Sequence, residues 1–280
     1  MFDGQFFPNQ PIQFEGVPSI RHPFYRDTFY SIIQRQGLTS NLKLCLDAGD
    51  GSSYTSGQSW LDRSGNGYDF FRGTTSSAQA SDPTFNGSAD GRSSSEYWST
   101  DGGDFFRYDT TNETWMQNIH KNNAQFTFVF WFYPISFGGT DNLMGNQSGS
   151  AANIGFRFRT NIFGILNFQV SNASVLACDI SLGTLNAAAW NFIGFSLNEA
   201  TGANGALINV NGSASTATST YTSPNAGSAT YTTEILAGGN SSGPWDSGTR
   251  IAGVIAWEGT TLTAAQLAAL YQASRVRFGV

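Results

Sequence analysis

Lysine is nearly missing from this chain of 280 residues: Lys43 and Lys121 are the only two. Charged residues of every kind make up 12% of it, about half the share usual for soluble domains. Surface polarity therefore has to come from Ser, Thr, Asn, Gln and Gly. The net charge is −6 and no run of Lys or Arg interrupts the acidic balance, which argues against a nucleic-acid-binding surface. Two cysteines, Cys45 and Cys178, are too few for a disulfide framework and lack metal-ligand spacing. They read as buried thiols on separate strands. No stretch approaches the roughly 18 apolar residues of a membrane span, so membrane insertion is not expected. The first residues carry no basic n-region and no apolar h-region, so they do not form a Sec signal. Sequons at Asn86, Asn112, Asn146, Asn172, Asn211 and Asn240 then reflect an Asn/Ser/Thr-rich composition.

Aromatic residues, by contrast, are abundant at 14%. Their densest run, Phe126 to Pro134, alternates Phe126, Phe128, Phe130 and Phe132 with Thr127, Val129, Trp131 and Tyr133. At strand period this puts apolar rings on both faces. One face has to fill a core, and a second layer, a long loop or another subunit has to cover the other. Pro134 cannot donate to a ladder and ends the strand.

Around this strand the chain reads as many short strands separated by turn signals. The pattern starts at Leu42, Leu44 and Leu46 and continues with Tyr68 to Phe71 and Phe105 to Tyr108. A Gly/Asn/Ser-rich loop is expected over 138–153, then a meander over 154–159, 164–170 and 175–180. Trp190 to Leu197 and Ala206 to Val210 follow, with Asn211-Gly212 as a hairpin turn. Residues 213–231 read as an edge strand or loop. The one convincing helix starts after the cap Thr263 and runs from Ala264 to about Arg275, with Leu267, Leu270 and Tyr271 on one face. Short strands at this spacing predict an all-β antiparallel sandwich or jelly roll.

Residues 1–40 differ. Rings at Phe2, Phe6, Phe7, Phe14, Phe24 and Tyr25 are interspersed with Pro8, Pro11, Pro18 and Pro23. The prolines favour extended backbone, and the rings are what a disordered tail lacks. The segment reads as an arm that docks its rings on a surface, of its own domain or of a neighbouring protein. A short helix over 24–36 fits between Pro23 and Gly37. The expected division is an arm, 1–40, and one domain, 41–280.

The order of several motifs resembles laminin G-like, concanavalin A-like jelly-roll domains. They are Leu44-Cys-Leu-Asp-Ala-Gly49, Trp60-Leu-Asp-Arg-Ser-Gly-Asn-Gly67, Pro83-Thr-Phe-Asn-Gly87, Phe126 to Pro134, Trp190 to Ser196, Ile208 to Gly212, and Arg250 to Trp257 with the helix after it. The likeness covers about residues 42–278, and the arm falls outside it. Domains of this kind with such an arm resemble those of tailed-phage virion proteins. The resemblance implies a non-enzymatic structural protein on the particle surface, assembled in the host cytoplasm, a capsid decoration, head-fibre or tail-associated module. Its implied partners are other virion proteins, held through residues 1–40, further copies of itself and host-surface polysaccharide. The family also contains carbohydrate-binding modules, and a lectin-like module, free or secreted, is the alternative.

Retaining glycosidases need two carboxylates about 5–5.5 Å apart. Glu96, Glu113, Glu199, Glu234 and Glu258 are instead isolated, and neither His22 nor His120 has a neighbouring Ser or Cys. No enzyme is expected, and no cofactor beyond Ca2+. Asp62-x-Ser64-x-Asn66-Gly67 copies the first positions of a Ca2+ loop, with Asp69 in place of the missing late glutamate. The same residues equally make an Asx/Gly turn that hydrogen-bonds its own backbone. Asp47 with Asp50 is a weaker cation candidate. For a glycan, Trp245 and Asp246, with Asn240 in the same loop, offer a ring beside acceptors; the alternative is that Trp245 folds over the sheet edge.

Overall fold

The computed structural model describes residues 27–108 and 111–280. The arm rings Phe2, Phe6, Phe7, Phe14, Phe24 and Tyr25 lie outside the described residues, as does His22. The strands are β1 (Leu42–Asp47), β2 (Ser59–Trp60), β3 (Phe70–Arg72), β4 (Thr84–Asn86), β5 (Tyr97–Ser99), β6 (Phe106–Tyr108), β7 (Gln125–Tyr133) and β8 (Asn142–Gly145). They continue with β9 (Ile154–Thr160), β10 (Ile165–Asn172), β11 (Leu176–Thr184), β12 (Asn191–Asn198), β13 (Ala206–Val210), β14 (Ser213–Ala217), β15 (Glu234–Ile235) and β16 (Arg250–Glu258). Among the described residues three α-helices accompany them: α1 (Phe29–Arg35), α2 (Thr114–Asn118) and α3 (Ala264–Phe278).

The strands form two antiparallel sheets. The first runs β14-β13-β12-β7-β16-β5-β4, with β1 also paired to β16; the second runs β11-β10-β9-β8-β15-β6-β3-β2. Their inner faces meet in one core, where Phe126, Phe128, Phe130 and Phe132 of β7 pack with Phe156, Phe158 and Phe168 of the second sheet. Phe128 and Phe158 are in edge contact with ring centroids 5.1 Å apart.

The other face of β7 is covered by helices. Val129 and Trp131 share a second apolar layer with Phe29, Ile32 and Ile33 of α1 and with Leu267, Leu270 and Phe278 of α3. Thr28 caps α1, its Oγ1 accepting from Ser31 N at 3.2 Å. Trp131 donates its indole N–H to Ser274 Oγ at 2.9 Å, and Trp257 donates to the Leu38 carbonyl at 2.7 Å. A glycine at 253 lets Phe29 lie on β16: a methyl group there would stand 2.7 Å from Phe29 Cδ2. Cover for the outer face of β7 thus comes from the chain's own helices. Within the stretch read as an arm, Phe29, Ile32, Ile33 and Leu38 are all buried.

Other differences are local. The stretch expected as one loop over 138–153 contains β8, since Leu143 and Met144 are buried and Met144 and Gly145 pair with β9 despite the Gly/Asn setting. Helix α3 carries a capping box between Thr263 and Gln266 and continues three residues past Arg275, to Phe278, because Arg277 and Phe278 are both buried. Residues 213–217 are the edge strand β14. Cys45 and Cys178 are free and buried, and burial pushes the Cys178 thiol up to about 12.

Candidate functional site

Helix α2 is short and amphipathic in a simple way. Trp115 and Met116 are buried in the core, with Trp115 packing against Tyr68 and Phe128 at 6.0 and 6.5 Å. Thr114 and Gln117 are left at the surface, where they line a cleft of about 360 Å³. The facing wall is the segment 228–232, and Asn112 closes one end.

Hydrogen bonds hold the two walls at a fixed spacing. Asn112 Nδ2 donates to the Tyr231 carbonyl at 2.6 Å, and its Oδ1 accepts from Thr233 N at 2.6 Å and Thr233 Oγ1 at 2.7 Å. Gln117 Oε1 accepts from Ala229 N at 2.7 Å. Thr230 is anchored from behind by Ile154, whose N–H donates to Thr230 Oγ1 at 2.9 Å.

The cleft is lined by hydroxyls of Thr111, Thr114, Ser228, Thr230 and Thr232, by amides of Asn112 and Gln117, and by the half-buried Tyr231. Among the described residues no ionisable carboxylate or cation lines it. Neutral donors and acceptors around one aromatic ring suit a polyhydroxylated, uncharged ligand, and the volume lies within the usual range for small-molecule sites. A second cleft, of about 250 Å³, begins at Asn118 and includes Lys121, Asn123 and Glu258. Its carboxylate is already engaged, Glu258 accepting from Asn118 Nδ2 at 3.0 Å.

The glycan residues expected in the 238–248 loop are not brought together as a platform. Trp245 is 1% exposed. Its ring packs edge-on to Phe132 at 4.7 Å, and its indole N–H donates to the Asn142 carbonyl at 2.9 Å. The ring has left the rim for the core, which corrects its assignment as a sugar-stacking surface. Asn240 and Asp246 are exposed, and Asp246 accepts from Ser136 Oγ at 2.7 Å.

The Ca2+-like loop is occupied by its own backbone. Asp62 Oδ1 accepts from Cys45 N and Ser64 N, both at 2.9 Å; its Oδ2 accepts from Ser64 Oγ at 2.5 Å and Tyr68 N at 3.3 Å. Asp69 accepts from Asp62 N at 2.8 Å, and Asn66 donates to the Leu42 carbonyl at 2.9 Å. These oxygens therefore staple the turn to β1. Asp47 is buried in an ion pair with Arg277, and Asp50 pairs with Arg63. Among the described residues no three His, Cys, Asp or Glu side chains make a metal cage by themselves.

The isolated glutamates each brace a loop. Glu199 accepts from Asn123 N at 2.7 Å and Tyr221 N at 3.1 Å; Glu113 accepts from Tyr108 Oη at 2.8 Å. Glu234 on β15 pairs with Arg107, and burial pushes its carboxyl up to about 7 against the pull of that guanidinium. His120 is buried, with Nε2 2.9 Å from the Gly227 carbonyl, and burial lowers its pKa.

No family model and no curated protein matches the chain. Solved structures do match. The binding domain of botulinum neurotoxin DC, solved in complex with SialylT, superposes with a TM-score of 0.56 at 12% identity, over 84% of this chain and 52% of that one. The same domain with rat synaptotagmin II gives 0.54 at 14% identity. Trypanosoma rangeli sialidase in complex with sialic acid gives 0.53 at 13%, covering 84% of this chain and 33% of the sialidase. The chain thus spans about half the length of the toxin domain and a third of the sialidase. At these identities the likeness shows the fold alone, an antiparallel jelly-roll sandwich.

Proposed function

We propose that this protein is a non-enzymatic carbohydrate-binding module, and that the cleft between α2 and residues 228–232 holds a neutral sugar. The observation that carries the reading is the lining of that cleft: hydroxyls, amides and Tyr231, with no charged side chain among the described residues. Neighbours in fold support it, since two of them were solved with SialylT and with sialic acid. The uncharged walls favour a neutral glycan over a sialylated one, because an anionic sugar in this cleft would meet no cation among the described residues.

A glycan panel on the full chain, followed by calorimetry on the best neutral oligosaccharide, tests this. Tyr231→Ala is expected to weaken binding roughly tenfold, as loss of a ring contact does, and Gln117→Ala to weaken it as well. Silence across the panel would sink the proposal, as would binding that Tyr231→Ala leaves unchanged.

Residues 1–26 carry the second reading, in which this module is displayed in several copies on a phage particle. It is supported by the rings and prolines of that segment and by the main-chain and ring contacts that extended segments make. A chain lacking residues 1–26 is expected to fold and to be missing from particles. Its normal incorporation would exclude the segment as an anchor.

A further inference from the structure

Arg250 opens β16 on the outer face of the first sheet, where it pairs with Tyr133 of β7 on one side and Ser99 of β5 on the other. Its guanidinium stands over two rings, 4.5 Å from the centroid of Tyr133 and 4.7 Å from that of Tyr97. Arginine suits this place, since its planar, weakly hydrated cation stacks on aromatic faces. Both rings are held in turn by Trp190, which lies edge-on to Tyr133 at 5.6 Å and to Tyr97 at 6.1 Å. Trp190 itself rests on Phe278 of α3 at 4.7 Å. Sheet and last helix thus fix the guanidinium in advance of any ligand.

What this arrangement leaves over is donor capacity. Arg35, Arg63, Arg92, Arg107 and Arg277 each pair with an acid. Among the described residues no carboxylate pairs with Arg250, and none of its side-chain N–H groups finds an acceptor. The hydroxyls of Tyr97 and Tyr133 make no hydrogen bond there either. All three side chains are half-buried, so a ligand from solvent can reach them. Asn86, opposite Tyr97 on β4, spends its amide hydrogens on the Thr84 carbonyl at 3.0 Å and on Ser99 Oγ at 2.9 Å. Its amide oxygen is left to accept.

We infer that Arg250, Tyr97 and Tyr133 form a binding site for a carboxylate carried by a hydroxyl-rich ligand, the uronate unit of an acidic saccharide. The guanidinium fork matches a carboxylate in bidentate geometry, and the two phenols add donors beside it. Asn86 supplies a neutral acceptor for a sugar hydroxyl. An acidic stretch of a protein fits this surface less well, because a protein interface is built around an apolar centre. None of the exposed large hydrophobic side chains lies on β4, β5, β7 or β16. The site shares no residue with the cleft at Tyr231 and does not rest on the reading of that cleft.

The test is calorimetry of the full chain against oligosaccharides of galacturonate, glucuronate and mannuronate, each beside its methyl ester. The ester keeps the hydroxyls and removes the charge. At least one uronate is expected to bind, and its ester to bind roughly tenfold more weakly or less. Arg250→Lys keeps the charge but loses the fork, and is expected to weaken uronate binding about tenfold. Tyr97→Phe with Tyr133→Phe keeps the rings under the guanidinium and is expected to weaken binding severalfold. Tyr231→Ala is expected to leave it unchanged. Should Arg250→Lys fail to fold, the double Phe variant carries the test. Silence across the uronates would overturn the inference, as would equal binding of the esters or unchanged affinity in either variant. Loss of uronate binding in Tyr231→Ala would overturn it by moving the ligand to the other cleft. An Asp/Glu-rich peptide that binds through Arg250 more tightly than any uronate would overturn it too, giving the site to a protein partner.

Discussion

Arg277, near the end of α3, reaches across to Asp47 at the end of β1, with Nη1 2.6 Å from Oδ1 and both side chains almost fully buried. The pair is a junction of three elements. Asp47 Oδ2 accepts from Phe29 N, the first residue of α1, at 2.8 Å. The Arg277 guanidinium stacks over Phe29 and Phe278 at 4.8 and 5.2 Å and donates to the Ser93 carbonyl at 3.2 Å. Sheet, first helix and last helix are joined by one buried ion pair.

Removing one partner of such a pair strands the other charge in the interior. Arg277→Met is expected to cost about 3–5 kcal/mol in urea unfolding. Asp47→Asn with Arg277→Met together is expected to cost less than Arg277→Met alone, since no charge is left unmatched. A double variant worse than the single would show that the pair is not what the site depends on.

The helical cover gives a second expectation. A chain starting at residue 27 keeps α1 and is expected to unfold like the full chain. A chain starting at residue 41 loses Phe29, Ile32, Ile33 and Leu38 from the outer layer, each worth about 1.5–3 kcal/mol when buried. It is expected to be strongly destabilised, with tryptophan emission red-shifted as Trp131 and Trp257 meet water. Equal stability of the two truncations would remove α1 from the fold's energetics.

Acidity acts through Glu234. Its carboxyl titrates near 7 in the fold and near 4.5 without it, so the folded state holds the proton more tightly. The stability this contributes is complete below about 4.5 and is lost as pH rises toward 7. Unfolding free energy in chelated buffer is expected to fall across that window by on the order of 3 kcal/mol from this group. Asp104 and Asp141, both raised to about 6 mainly by burial, add slopes of the same sign. Glu234→Gln should therefore reduce the slope without abolishing it, and an unchanged slope would rule the group out.

Period and composition in the sequence were enough for the sandwich. Phe126 to Tyr133, apolar at both parities, demanded both a core and a cover, and Thr263 marked the start of α3. What covered β7 was not legible, because α1 is seven residues long and follows a segment dominated by proline and ring residues. Trp245 stays open between rim and interior in the sequence for a related reason: its neighbours are glycine, proline, serine and aspartate, a loop composition, and only the edge contact with Phe132 across the fold takes it inside. The cleft at Tyr231 left no local signal. Its walls come from residues 111–117 and 228–232, and Ser/Thr/Asn residues are so common here that those lining it do not stand out. Nothing local marks Glu234 or Asp104 as buried acids, since burial is a property of the assembled sheets.

The junction at Asp47 and Arg277 also decides how the domain would carry load. Helices α1 and α3 lie together on one face, with Phe29 and Phe278 stacked 6.4 Å apart. Tension applied between whatever is attached to the two ends meets this clasp before it meets a strand. Helices α1 and α3 would peel away first while the interlocked sheets stay closed, so the module would yield in a small step on its helical face and keep its opposite sheet in shape.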